Sequence, residues 1–146
     1  MGSDKAVAVA EERAVFAFSE VKLGIVPAVI SPFALAKIGT SAARRYFVTG
    51  ERFDAETALR IGLVHEVTGD LDGAVDRVLG ELRTAGPRAA RAAKRLVLDR
   101  PDALETARRI AERRTSPEGQ EGLRAFLEGR VPGRRGFASW SPPADE

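Results

Sequence analysis

The sequence predicts an α-rich α/β chain, with a short strand-and-loop start and a long helical remainder. Three observations carry that expectation. Residues 6–10 read Ala-Val-Ala-Val-Ala, apolar at every position, as in a strand covered on both faces. From residue 31 onward, apolar residues recur at helical spacing in segments cut by glycine and proline. The chain has 146 residues, 44% hydrophobic and 30% charged, which suits one globular domain with a modest core.

Each element follows from a local signal. After the strand at 6–10, Val15 to Phe18 is a second β-like stretch, and Ser19 to Pro27 has no period and reads as a loop. Ser31 before Pro32 reads as an N-cap with proline at the first helical position, and Gly39 as the stop. Thr40 or Ser41 caps the next helix, which carries Ala42, Ala43, Tyr46 and Phe47 and ends at Gly50. Asp54 caps Ala55 to Arg60, with Gly62 as the stop. Leu63 to Val67 is extended. Leu71, Val75, Val78, Leu79 and Leu82 repeat at helical spacing until Gly86-Pro87 breaks the helix. Further helices are expected over Pro87 to Leu98, over Pro101 to Arg113, and from Ser116-Pro117-Glu118 through Leu127. The tail from Val131 lacks periodicity and is expected to be disordered. A strand covered on both faces needs neighbours, and the chain offers few other strands for it.

Composition excludes several chemistries. With no cysteine there is no disulfide, thiolate metal site or cysteine nucleophile. The single histidine, His65, leaves no His-rich metal site. No apolar run reaches membrane-spanning length, and Met1 to Lys5 shows no secretory pattern, so a cytoplasmic location is expected. Lys and Arg total 23 against 21 Asp and Glu, a net charge of +2. The most concentrated basic stretch is Arg88, Arg91, Lys94 and Arg95, along one side of a helix. Its plain reading is a solvated helix face, and no aromatic residues interleave with it as single-strand binding would need.

Carboxylate, backbone and hydroxyl chemistry remain. Glu20 stands out by its surroundings: Phe16 and Phe18 precede it, and Val21, Leu23, Ile25 and Val26 follow. An acid among apolar neighbours loses hydration, which favours its protonated form and suits it to general acid/base work. A surface glutamate is the competing reading. His65 has no nucleophile or metal partner at a suitable spacing and reads as structural.

The stretch from Ala10 to Ala28, with Phe16-Ala17-Phe18-Ser19-Glu20-Val21-Lys22-Leu23-Gly24-Ile25-Val26-Pro27 at its centre, closely resembles the crotonase family, the enoyl-CoA hydratases and isomerases. Ala42 through Thr49-Gly50-Glu51-Arg52-Phe53-Asp54-Ala55 resembles that family's helix and following turn. Ala58 to Val64 is similar to its Ala-x-x-x-Gly-Leu-Val segment, and Glu121 to Glu128 to its C-terminal helix. The resemblance spans about residues 6 to 130. Phe18 to Gly24 with Ile30-Ser31-Pro32 looks most like the methylglutaconyl-CoA hydratase branch of leucine breakdown.

The resemblance implies the C-terminal part of a crotonase-like ββα spiral, with residues 1–62 as core remnant and 63–130 as a helical oligomerisation region. Glu20 then matches the glutamate that moves a proton when water adds to an α,β-unsaturated acyl-CoA. Val26, Pro27 and Ala28 match the wall of the acyl pocket. Ala28 stands where many hydratases have a glycine whose backbone N–H helps hold the water. Phe126 matches an aromatic that reaches the CoA of a neighbouring subunit. Gly129 stands where a lysine is common, and Arg130 could offer its charge to a CoA phosphate instead. The implied partners are an acyl-CoA substrate and further copies of the chain, as a trimer or hexamer. No separate cofactor, nucleic acid or membrane is implied.

Family members are somewhat under twice this long. The half without a counterpart here supplies both oxyanion-hole donors, and losing one such donor typically slows acyl chemistry by about 10²–10³. Three readings are therefore open. The chain is the C-terminal portion of a hydratase, or a non-catalytic helical interaction module, or, more weakly, a basic helical nucleic-acid binder. The reading frame upstream separates the first two.

Overall fold

The computed structural model describes residues 6–133. In chain order the elements are β1 (Val9–Glu11), β2 (Val15–Phe16), a 3-10 turn (Ser19–Leu23), α1 (Ser31–Thr49), β3 (Phe53–Asp54), α2 (Ala55–Arg60), β4 (Glu66–Thr68), α3 (Leu71–Thr84), α4 (Pro87–Asp99), α5 (Ala103–Thr115) and α6 (Pro117–Leu127). The chain divides into two compact units, Met1–Arg77 and Val78–Glu146.

The first unit holds two small ladders. β1 and β4 run parallel with Val9 opposite Glu66 and Glu11 opposite Thr68. β2 and β3 run antiparallel with Phe16 opposite Phe53. β1 is shorter than the expected 6–10 strand and shifted toward its C-terminal end. His65 accounts for part of that difference: its amide donates to the Ala8 carbonyl at 2.8 Å, and its Nδ1 accepts the Ala8 N–H at 2.9 Å. A ring nitrogen there takes the place of a ladder carbonyl, which puts the ring proton on Nε2. Pairing with β1 also draws 63–68 into the first unit.

The core of this unit is Ala10, Phe18, Ala34, Ile38, Ala43, Tyr46, Phe53, Ala58 and Val64. Its large members are aromatic. The Phe53 ring lies 5.7 Å from Phe16, 6.0 Å from Phe18 and 4.3 Å from Tyr46, and Phe18 meets Phe47 edge-on at 4.7 Å. Offset and edge-to-face pairs of this kind add to the plain burial of the rings.

Helix termini follow the sequence signals with one correction. The Asp54 side chain accepts the Thr57 N–H at 2.8 Å and opens α2, and Gly50 closes α1 at φ 58°. Gly39, at φ 68° and ψ 172°, is non-helical and divides α1 into two helical segments across a kink, as its reading as a helix stop expects. Ser31 is not the cap of α1: Ile30 is, with no side-chain bond. The expected loop at 19–27 begins as the 3-10 turn, and β2 stops at Phe16.

In the second unit, Asp102 caps α5 and Ser116 caps α6, each accepting the N–H three residues on, at 2.8 and 3.1 Å. Glu118 is buried, and its two oxygens accept the N–H groups of Arg88 and Ala89 at 3.1 and 2.7 Å. A carboxylate from α6 thus satisfies the positive N-terminus of α4. Apolar burial here is slight: among the described residues of this unit, Ala125 is the one buried hydrophobic side chain, and Val97, Leu98, Leu104, Ile110, Phe126 and Leu127 are exposed. Arg88, Arg91, Lys94 and Arg95 all lie on α4, and Arg95 reaches Asp99 at 3.9 Å. The tail expected to be disordered lies, from residue 134 on, outside the described residues. Among the described residues no helix is long and apolar enough to cross a membrane.

Phe53→Ala removes the ring that three other aromatics share. It should cost the first unit about 3–5 kcal/mol. Val97→Ala, at an exposed site, should stay within about 0.5 kcal/mol. Urea unfolding of the two variants checks this, and equal midpoints would overturn the assignment of the core.

Candidate active site

Glu20 lies in the 3-10 turn, two residues after buried Phe18. The aromatic packing of Phe18 fixes where the turn begins. Gly24, left-handed at φ 74°, ends it, with its N–H on the Val21 carbonyl at 3.1 Å, and the Ile25 N–H reaches the Glu20 carbonyl at 3.3 Å. The turn rests on the end of α1. A Cβ on Gly50 would stand 2.9 Å from Val21 Cγ1 and 3.2 Å from Lys22 Cε. Gly50 is therefore required twice, by its left-handed backbone and by the approach of Val21.

The Glu20 side chain is half-buried, and its Oε2 is shielded from solvent without a hydrogen-bond partner. A buried acceptor left unpaired costs about 1–3 kcal/mol. Native structures tolerate few such groups, often where chemistry is done. A carboxylate in this state is placed to accept a proton or a hydroxyl hydrogen bond.

The residue after it, Val21, lines an apolar cavity of about 500 Å³ together with Val26, Pro27, Ala28, Ser31, Phe47 and Val48; Glu20 itself is not among the lining residues. Val21 follows Glu20 directly, so the carboxylate turn contributes one wall. Val26, Pro27 and Ala28, the residues the sequence nominated, form another. The Ala28 N–H is not free toward the cavity: it donates to the Val26 carbonyl at 2.7 Å. The water-holding donor implied by the resemblance is thus engaged within its own turn. Phe47 joins the cavity to the aromatic core through Phe18. No group of three or more His, Cys, Asp or Glu side chains among the described residues is placed to hold a metal.

Val26, Pro27 and Ala28 line one cavity in the first unit, and Glu20 lies in the turn before them, outside its lining. Phe126 and Arg130 belong to the second. Phe126 is 83% exposed on α6. Arg130 follows the left-handed Gly129, and its guanidinium is held by Glu121 at 2.7 Å and Glu128 at 2.6 Å. The Arg130 bond and, second, the Gly133 N–H bring the Glu121 carboxyl down to about 2, and the same carboxylates raise Arg130. Sequence reasoning missed Ser31, Phe47, Val48 and Gly50 as site residues. Each carried a local signal as cap, helical apolar residue or helix stop, but none that placed it beside residues 21–28.

Residues 3–134 match the family profile described as enoyl-CoA hydratase/isomerase. The chain is 31% identical over 133 residues to the enoyl-CoA hydratase AKT6-1 of Alternaria alternata, covering 85% of this chain and 45% of that protein. It superposes on the crystal structure of an enoyl-CoA hydratase from Shewanella pealeana with a TM-score of 0.82 at 44% identity, covering 88% of this chain and 51% of that one. For Pseudomonas aeruginosa AtuE the TM-score is 0.81 at 39% identity, with 86% and 52% covered. The chain thus spans about half the length of the relatives it matches.

Two outcomes are expected from this geometry. Gly50→Ala should destabilise the first unit by about 1–2 kcal/mol from its backbone alone. Gly50→Asn, which accepts a left-handed backbone but carries a Cβ, should recover part of that loss while still displacing Val21. Urea unfolding reads the first effect and the chemical shifts of the Val21 methyls the second. Glu121 titrates low in the fold, so its pairing with Arg130 stabilises fully above the unfolded value near 4.5 and is lost as pH falls toward about 2. The stability difference between the parent and Arg130→Met should shrink across that window in thermal unfolding. A constant difference would mean the pair contributes nothing.

Proposed function

The chain belongs to the enoyl-CoA hydratase/isomerase family, and from that premise we propose that it carries the proton-moving part of a site that adds water to an α,β-unsaturated acyl-CoA. The observation that carries this reading is the buried, unpartnered Oε2 of Glu20, in a turn whose next residue, Val21, lines an apolar cavity. In the proposed step, the water oxygen bonds to the β-carbon while Glu20 takes its proton. The electron pair of the double bond moves onto the thioester as an enolate, and a proton returned to the α-carbon completes the addition. The apolar walls exclude bulk water from the acyl group. Donors for the enolate oxygen are assigned to the part of the relatives that this chain does not match.

For the acyl group we propose methylglutaconyl, supported by the resemblance of residues 18–24 and 30–32 to that branch. The cavity lining offers no cationic side chain to the distal carboxylate of such a group. Crotonyl-CoA, whose acyl group carries no charge, is therefore the comparison substrate that decides between them. Phe126, nearly free of contacts, suits the proposed stacking on the CoA of a neighbouring copy in a homo-oligomer. For Arg130 to meet a CoA phosphate it must release a carboxylate, and Glu128, the more exposed of its two partners, is the one to exchange. The apolar surface left bare on α4 to α6 favours a second reading, in which the helices serve association with other chains.

The test is hydration of crotonyl- and methylglutaconyl-CoA, followed by loss of the conjugated thioester absorbance. It compares the chain alone with the chain plus the N-terminal half of the Shewanella pealeana relative supplied in trans. The chain alone should be slower by at least about 10²–10³. In the complemented enzyme Glu20→Gln should lower kcat by about 10²–10⁴ with little change in acyl-CoA binding, whereas Glu12→Gln should be silent. Retention of activity in Glu20→Gln would remove Glu20 from the mechanism. Absence of activity in every combination would leave the association reading.

A further inference from the structure

The cavity wall formed by Val26, Pro27 and Ala28 belongs to no helix or strand, so something else must hold its shape. Ser31 does so with two bonds. Its amide donates to the Pro27 carbonyl at 2.9 Å, and its hydroxyl donates to the Ala28 carbonyl at 3.0 Å. Together with the bond from the Ala28 N–H to the Val26 carbonyl, these engage both polar groups of the Pro27–Ala28 peptide and the carbonyl of the next, and wind the segment tightly.

The direction of the hydroxyl bond is informative. A serine at the start of a helix ordinarily accepts a helix N–H and so stabilises the helix. Here Ser31 Oγ points back to the loop, and α1 takes no side-chain cap bond from it or from Ile30. The hydroxyl serves the loop. Ser31 also lines the cavity itself, where it is the one residue with a polar side chain among the seven.

We propose that Ser31 is a positioning residue for the acyl group: by clamping the Ala28 carbonyl, its hydroxyl sets the wall against which the acyl chain lies beside the Glu20 turn. This rests on the hydratase reading above. Without the hydroxyl, the Ala28 carbonyl turns to solvent and the wall opens. Glu20 keeps its place, because Phe18 and Gly50 hold its turn. Loss of the clamp should therefore act on substrate seating rather than on proton transfer.

The experiment has two arms. In the chain itself, amide exchange followed by NMR should quicken at Ala28 and Ala34 in Ser31→Ala and return to parental rates in Ser31→Thr. In the enzyme complemented in trans, Ser31→Ala should raise KM for crotonyl-CoA about three- to tenfold, the range one hydrogen bond supplies. Its kcat should stay within about twofold, as when binding shared by ground and transition states is lost. Ser31→Thr should restore KM. Thr49→Ala, which removes a similar hydroxyl-to-carbonyl bond inside α1 at 2.9 Å, should change neither constant. Unchanged exchange in Ser31→Ala overturns the inference, and so does an active enzyme whose Ser31→Ala variant keeps its KM. A complemented parent without any hydratase activity overturns the hydratase reading and this role with it.

Discussion

The packing of Phe18 against the end of α1 is the constraint on which the site depends. Its ring meets Phe47 edge-on and lies beside Phe53, which in turn touches Phe16 and Tyr46. Those five rings come from β2, the segment before the 3-10 turn, the last turns of α1 and β3. One cluster therefore locks the entry of the carboxylate turn to the helix end. Gly50 completes the fit by leaving the space that Val21 occupies. With both in place Glu20 has little freedom, and its Oε2 stays out of water without a partner. Aromatic packing thus supports a carboxylate oxygen that is unfavourable by itself.

The cavity beside it is held differently. Its floor is side-chain packing through Phe47 and Val48, but the wall at 26–28 is held by hydrogen bonds from Ser31 and Ala28. Packed rings resist displacement as a group, whereas a loop held by a few bonds can shift when one is lost. The two walls suit different tasks. The aromatic side keeps the Glu20 turn in place, and the hydrogen-bonded side sets the shape of the wall at 26–28.

The second unit relies on charge where the first relies on rings. Glu118 closes the N-terminus of α4, Glu105 holds Arg108 and Arg109 at 2.8 Å each, and Glu121 gathers Arg130 and the Gly133 N–H. Exposed ion pairs of this kind contribute little individually. They specify geometry while leaving long apolar side chains such as Leu104, Ile110 and Phe126 bare.

Much of this was legible in the residues alone. Helix starts at Asp54 and Ser116 were readable because a cap is a local bond between a side chain and an amide three residues away, and the stop at Gly50 because glycine accepts a left-handed backbone. Val26, Pro27 and Ala28, which line the cavity, were nominated with Glu20 through a contiguous motif. What only the tertiary structure decided are the contacts between segments distant in sequence. These include the parallel pairing of 9–11 with 66–68, the ring nitrogen of His65 standing in for a carbonyl, and Phe47 and Val48 meeting residues 26–28. Ser31 shows the difference at one residue. Its position before Pro32 signals a helix cap, but Ile30 takes that place and the hydroxyl turns to the Ala28 carbonyl instead. Which partner the hydroxyl takes depends on where the loop before it lies, and no signal local to Ser31 carries that.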